Sequence, residues 1–162
     1  MKNQLIVKPA TIEDAELLFI WRNDPEARKN SKDTKKIKFE DHLIWLDKTI
    51  NDINKTLFIF YILDQFENNY IPVGTTRMDY DVAYDIYELS WMVAPKKRGK
   101  SIGKTIVSRT VDFLFGKNIK AKIKFGNLAS CKIAEYVGMK YIHNGFIKGE
   151  EDILYYYRKG EN

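Results

Sequence analysis

Residues 86–114 leave this chain few choices of fold. Ile86-Tyr87-Glu88-Leu89-Ser90-Trp91-Met92-Val93 is a run of strand-forming residues, and Pro95 to Gly103 is a basic loop with two glycines. Ile102, Ile106, Val107, Thr110, Val111 and Leu114 then recur at helical spacing. A strand handed by a short loop to a long helix needs a sheet with that helix packed on its face. The loop also has a chemical use. The first backbone N–H groups of a helix lack partners and its dipole favours an anion, and here Arg98, Lys100 and Lys104 flank them, so the segment suits phosphate. Taken alone, the same residues also fit an ordinary basic turn.

The rest of the chain supplies a sheet for that unit. Leu5 to Val7 form a short strand closed by Pro9, and Thr11 with Asp14 starts a helix that buries Ala15, Leu18 and Phe19. Trp21-Arg22-Asn23-Asp24-Pro25 ends this helix, and a polar, lysine-rich connection follows. Phe39 to Asn51 is a second helix on Leu43, Leu46 and Ile50, with His42 and Trp45 beside that stripe. Leu57 to Leu63 is apolar enough for a strand covered on both faces. Strands over Pro72–Met78, Ile86–Val93 and Ile119–Phe125, a helix from Ser130 to Val137 stopped by Gly138, and strands Tyr141–Ile147 and Ile153–Tyr157 complete the list. The order βααβββαβαββ predicts an α/β fold: a mixed, mostly antiparallel sheet with helices on both faces. With 44% hydrophobic residues in 162, one domain over residues 1–162 is expected.

Charge narrows the partners. A net charge of +5 suits a polyanion, either nucleic acid or a phosphorylated small molecule. Neither a basic helix nor an aromatic RNA-binding strand motif is present, so no nucleic acid is expected. The lysine runs at 35–38 and 120–124 fit a solvated surface. Lone Cys131 excludes an intrachain disulfide framework and a cysteine-rich zinc site. No apolar run is long enough to span a bilayer, so a cytoplasmic protein with no membrane partner is expected.

Arg98-Gly99-Lys100-Ser101-Ile102-Gly103-Lys104 resembles the acetyl-CoA pyrophosphate loop of the GNAT superfamily of N-acetyltransferases, R/Q-x-x-G-x-G/A, with Ser101 where the middle glycine is usual. Asn127-Leu128-Ala129-Ser130, followed by Ala134 to Met139, is similar to the family's second cofactor segment. The resemblance implies direct acetyl transfer from acetyl-CoA, as cosubstrate, to the primary amine of a small-molecule acceptor, with no metal. It implies a GNAT-like fold whose cofactor cleft opens where strands 4 and 5 splay apart. Met92, Val93 and Ala94 would pair with pantetheine through their backbone, Val93 N–H would polarise the thioester carbonyl, and residues 98–104 would hold pyrophosphate. Asn127 and Ser130 would line the arm. Ser101 serves there if its backbone is ordinary. Glu88 matches the family's glutamate that acts as a base through water; equally, it fits a structural carboxylate paired with a nearby cation such as Arg77. The usual tyrosine acid is replaced by Ala134, Tyr136 is turned away from it, and Tyr80, Tyr155, Tyr157, His143 or water remain for that role.

Trp21-Arg22-Asn23-Asp24 with His42-Leu43-Ile44-Trp45 resembles a branch of the superfamily that acetylates nucleotide-linked amino sugars in bacterial glycan biosynthesis. That resemblance implies Trp21 and Trp45 against a sugar or base and Arg22 near a diphosphate. Asn23, His42 and Arg77 complete the expected acceptor set. Core tryptophans and a helix stop at Asn23-Asp24 are the structural alternative. Rival functions are acetylation of a protein N-terminal amine and, from Ser101 and Ala134, a catalytically impaired acyl-CoA-binding regulatory protein. In the superfamily, paired last strands often mediate a homodimer.

Overall fold

The computed structural model describes residues 5–144, 149 and 151–161. Seven strands form one sheet: β1 (Leu5–Pro9), β2 (Lys55–Asp64), β3 (Asn69–Asp81), β4 (Ile86–Val93), β5 (Asn118–Lys124), β6 (Lys140–Asn144) and β7 (Ile153–Arg158). Their order across the sheet is β1-β2-β3-β4-β5-β7-β6. Neighbours run antiparallel except β4 and β5, whose connection carries a long helix, as the crossover predicts. Of the last predicted strands, Tyr141–Ile147 is a strand to Asn144, and 145–147 lie outside the described residues.

Alternation in the strands divides the core in two. Phe58, Phe60, Thr76, Met78, Leu89, Ile119, Ala121, Ile123 and Tyr156 face α4 (Ile102–Phe113) and α5 (Leu128–Tyr136). Leu57, Ile59 and Met92 point the other way, toward α1 (Ala15–Asn23) and α3 (Phe39–Ile50). The continuous apolar run of β2 is thereby covered on both faces, as expected. Helix α5 starts two residues before the expected Ser130, because Asn127 caps it by accepting the Ser130 N–H at 3.2 Å.

One helix was not expected. After α1 stops at Asn23 the chain forms a short helix, α2 (Pro25–Lys29), instead of a coil. Pro25 takes its first position, where no N–H is needed, and the Asp24 carboxylate accepts the Ala27 N–H at 3.1 Å. The residues that end α1 are the ones that begin α2.

The β4–β5 ladder shapes the site. It consists of Ile86 against Asn118, Tyr87 against Ile119 and Glu88 against Lys120, and there it stops. Beyond it β4 continues to Val93 and β5 to Lys124 along diverging paths. The expected splay between strands 4 and 5 is present, with Glu88 at its vertex.

Candidate active site

The edge of β4 that faces the splay is open. The Ala94 N–H donates to Val73 O on β3 at 2.9 Å. Since successive strand N–H groups point to opposite sides, those of Val93 and Trp91 point away from β3, into the gap. Val93 thus offers a backbone donor without using its side chain.

At the open end, Pro95–Lys97 make a 3-10 turn and Gly99 turns the chain with φ +73°. Ser101 follows with φ 59° and ψ 9°, a left-handed conformation that favours glycine. The condition set for serine at this position, an ordinary backbone, is not met; serine here carries strain that the family's usual glycine avoids. Its hydroxyl makes no cap bond, so the N–H groups of Ile102, Gly103 and Lys104 keep the unpaired state of a helix start. With Lys100 and Lys104 close by, this terminus fits an anion. Gly103 has a further reason to be glycine. A Cβ there would stand 2.5 Å from Ile133 Cδ1 and 3.3 Å from Val93 Cγ2, so the missing side chain lets α4 lie against both α5 and β4. Lys104 is turned sideways, its ammonium 4.8 Å from the Tyr136 ring centre.

Arg98 does something the sequence did not suggest. Its Nη1 donates to Asp24 Oδ2 at 2.7 Å and lies 3.5 Å from Glu26 Oε2. The loop before α4 is therefore tied to the start of α2. Burial alone would raise the Asp24 carboxyl, but the bonds from Arg98 and the Ala27 N–H outweigh it and hold that carboxyl below its usual range.

On the face toward α1 and α3, β3 and β4 present Thr75, Arg77, Asp79, Glu88, Ser90 and Met92 side by side. The nearby cation expected beside Glu88 is Lys120, and Arg77 is turned to Asp79. The Arg77 Nε stands 2.9 Å from Asp79 Oδ1. Glu88 Oε2 instead lies 3.6 Å from Lys120 Nζ, which also approaches Asp81 Oδ2 at 3.9 Å. Along β4, Glu88 is about 13 Å from Met92 and about 16 Å from Val93, with Ser90 exposed between them. A proton can cross that distance only through water.

The lysines of β5 share that face, with Lys122 exposed and Lys120 and Lys124 half-buried. Ile119, Ala121 and Ile123 are in the core, so Lys120, Lys122 and Lys124 project oppositely. Lys122 lies 5.6 Å from the Tyr155 ring centre, and Lys124 Nζ donates to Ser31 O at 3.2 Å, joining β5 to the segment between α2 and α3. Their strict alternation in Asn-Ile-Lys-Ala-Lys-Ile-Lys was the signal for one shared face.

The expected acceptor residues divide. Trp45 is 39% exposed, and the Arg77 guanidinium lies 5.8 Å from its ring centre, so these two stand together on the face toward α1 and α3. Trp21 is 6% exposed and packs with Leu18 and Leu46, offering no ring to a ligand. His42 is 2% exposed; its Nε2 meets Ala15 O at 3.0 Å and its ring stacks on Trp45 at 5.4 Å. Burial, only partly offset by that carbonyl, pulls the His42 imidazole below its usual value. Arg22 and Asn23 bond to backbone of the segment before α3, and burial lowers the Arg22 guanidinium too. Both helices turn these side chains inward or along the loop, which spacing alone could not tell.

The candidate acids are also placed. The Tyr80 hydroxyl donates to Asp85 Oδ1 at 2.9 Å, which pushes its pKa up, and Tyr157 donates to Asn118 Oδ1 at 3.1 Å. Tyr155 stacks on His143 at 4.8 Å. Ala134 is fully buried, and Tyr136 is exposed on another side of α5. Among the described residues no cluster of His, Cys, Asp and Glu suits a metal ion, and no helix is long and apolar enough to cross a membrane.

Residues 4–140 match the family model of the acetyltransferase (GNAT) domain. No functionally curated protein matches the sequence. Among solved structures, a domain from Methanocaldococcus jannaschii is 25% identical with a TM-score of 0.83, over 97% of this chain and 99% of that one. Spermidine N-acetyltransferase from Vibrio cholerae, in complex with CoA and spermine, is 18% identical with a TM-score of 0.79, over 96% and 95% of the two chains. The aminoglycoside acetyltransferase AAC(6')-Ib in complex with coenzyme A is 15% identical with a TM-score of 0.78, over 96% and 95%. The last two share the fold.

Proposed function

We propose a function that proceeds from one fact: the chain belongs to the GNAT acetyltransferase family and is an acetyl-CoA-dependent N-acetyltransferase. On that footing residues 98–104 hold the pyrophosphate, Asn127 and Ser130 flank the pantetheine arm, and the open edge of Met92 to Ala94 pairs with it. The Val93 N–H donates to the thioester carbonyl oxygen, where negative charge develops. The amine nitrogen bonds to the carbonyl carbon, the carbon–sulfur bond breaks, and the proton lost by nitrogen passes through water to Glu88. The sulfur leaves as thiolate and takes its proton from water.

The acceptor we propose is a primary amine on an anionic small molecule, with a nucleotide-linked amino sugar as the best fit. One observation carries this: Lys122 and Lys124 project from β5 onto the face toward α1 and α3, beyond Lys120, whose charge is met by Glu88 and Asp81. Spermidine and aminoglycosides, the substrates in the names of the fold's relatives, are polycations that such a wall repels, whereas a diphosphate is attracted. Trp45 with Arg77 supplies a ring surface for sugar or base. Asp79, Asp81 and Glu88 gather at the vertex, which suits the ammonium end of the acceptor. We read residues 1–162 as one domain that acts in the cytoplasm, with its last strands as a homodimer contact.

Acetyl-CoA turnover against UDP-linked amino sugars, spermidine, an aminoglycoside and N-terminal peptides tests the reading. The UDP-linked amino sugar should lead in kcat/KM by about tenfold or more, and added salt should raise its KM. Glu88→Gln should lower kcat by about 10²–10⁴. Preference for a polycation or peptide sinks the acceptor, and an unchanged rate and pH profile in Glu88→Gln sinks the base. Coenzyme A binding without turnover of any amine returns the regulatory reading.

A further inference from the structure

Asp24 stands where the cofactor side and the acceptor side of the molecule meet. Its Oδ2 serves as the cap of α2 and receives Arg98 Nη1 from 74 residues away. The two side chains are 20% and 26% exposed, so the contact is a sheltered charge-assisted bond, unlike a loose surface pair. Both contacts of Arg98, to Asp24 and to Glu26, leave from Nη1. Its Nε and Nη2 make no hydrogen bond among the described residues.

Behind Asp24 lies the segment 31–37, which has neither helix nor ladder of its own. Side chains hold it instead. Asn23 clips Ile37 twice, donating from Nδ2 to its carbonyl at 3.0 Å and accepting its N–H at 2.9 Å. Arg22 Nη2 donates to Asp33 O at 3.2 Å and Arg28 Nη1 to Thr34 O at 3.1 Å, while Arg28 Nε donates to Asn23 O at 3.2 Å. From the opposite wall, Lys124 reaches Ser31. Whatever fixes the Asn23–Asp24 junction therefore fixes this segment; Arg28 holds the junction from within α2, and Arg98 grips it from the loop before α4.

We propose that Arg98 is a positioning residue that couples the two half-sites: Nη1 keeps Asp24, Nε and Nη2 receive a phosphate oxygen of the cosubstrate, and seating the cosubstrate thereby firms segment 31–37 beside the acceptor cleft. This rests on the reading of residues 98–104 as the pyrophosphate loop. One guanidinium between two anions is best satisfied when both are in place. By linkage, a cosubstrate that orders the segment strengthens acceptor binding, and an acceptor that orders it strengthens cosubstrate binding by the same factor. The Trp-Arg-Asn-Asp motif then acts by holding the acceptor loop; Trp21, Arg22 and Asn23 need not touch the acceptor.

Hydrogen–deuterium exchange on the full chain, with and without saturating coenzyme A, in wild type and Asp24→Asn, tests this. Asparagine keeps an oxygen for the α2 cap and removes the charge that grips Arg98. In wild type, coenzyme A should slow exchange in 31–38 by about fivefold or more, together with protection of 95–104. In Asp24→Asn, coenzyme A affinity should stay within about threefold and 95–104 should still respond, while the response of 31–38 disappears. A thermal melt confirms that the variant is folded. An equal response of 31–38 in both proteins overturns the proposal, as does a wild type that binds coenzyme A without any change there. A wild type that binds no coenzyme A instead removes the pyrophosphate-loop reading, and this coupling with it.

Discussion

Ser101 holds a left-handed backbone at the start of α4, which costs an L-residue about 1–2 kcal/mol. Glycine would remove that strain but return about 0.4–1 kcal/mol of freedom to the unfolded chain. Ser101→Gly should therefore stabilise the protein by up to about 1 kcal/mol in urea unfolding; a loss of stability would show that the serine is not strained. The motif around this residue was legible in the sequence, but its handedness was not, since residue type sets no dihedral. The same limit applies to Trp21 and His42. Helical spacing put His42 beside an apolar stripe and Trp21 at the end of its helix, and only the packing of α1 against α3 decided that they are buried. The bond from Arg98 to Asp24 was not legible, because a partner 74 residues away leaves no local trace.

At the scale of elements, α4 is fastened to the sheet by a buried polar pair. Thr110 donates its hydroxyl proton to Ile106 O at 2.9 Å, so the 2.8 Å bond to Thr76 on β3 runs from Thr76 to Thr110. Thr110→Val would leave the Thr76 hydroxyl buried without a partner and should cost about 1–3 kcal/mol. Thr76→Val should cost less, since Thr110 keeps its bond to Ile106, and the double variant should be close to wild type in thermal unfolding. Additive losses in the double variant would mean that packing, not the hydrogen bond, holds the pair. Elements with a clear period were legible: β4 was expected over Ile86–Val93 and lies there, and β2 was seen as doubly covered. Helix α2 was missed because Asp24-Pro25 signals both the end of one helix and the start of another.

For the molecule as a whole, stability should depend on His42, which latches α3 to the start of α1 over the second core. Burial lowers its pKa in the folded state, so on acidification the unfolded chain takes up the proton first. The contribution is complete above about pH 6.5 and is lost as the pH falls below it, by at most about 1.4 kcal/mol per pH unit. His42→Gln, with an amide N–H for Ala15 O, should flatten the urea-unfolding stability between about pH 7.5 and 5; an unchanged slope would place the acid sensitivity elsewhere. The ladder that stops at Glu88 and Lys120 has a last consequence. Two halves of one sheet, β1 to β4 and β5 to β6, are sewn together by a very short seam, and everything past it is a sheet edge kept inside the protein. Extending the seam would add hydrogen bonds and rigidity, and it would shut the gap that a cosubstrate needs. At this point in the fold a sturdier protein would be a poorer enzyme, so selection for one works against the other.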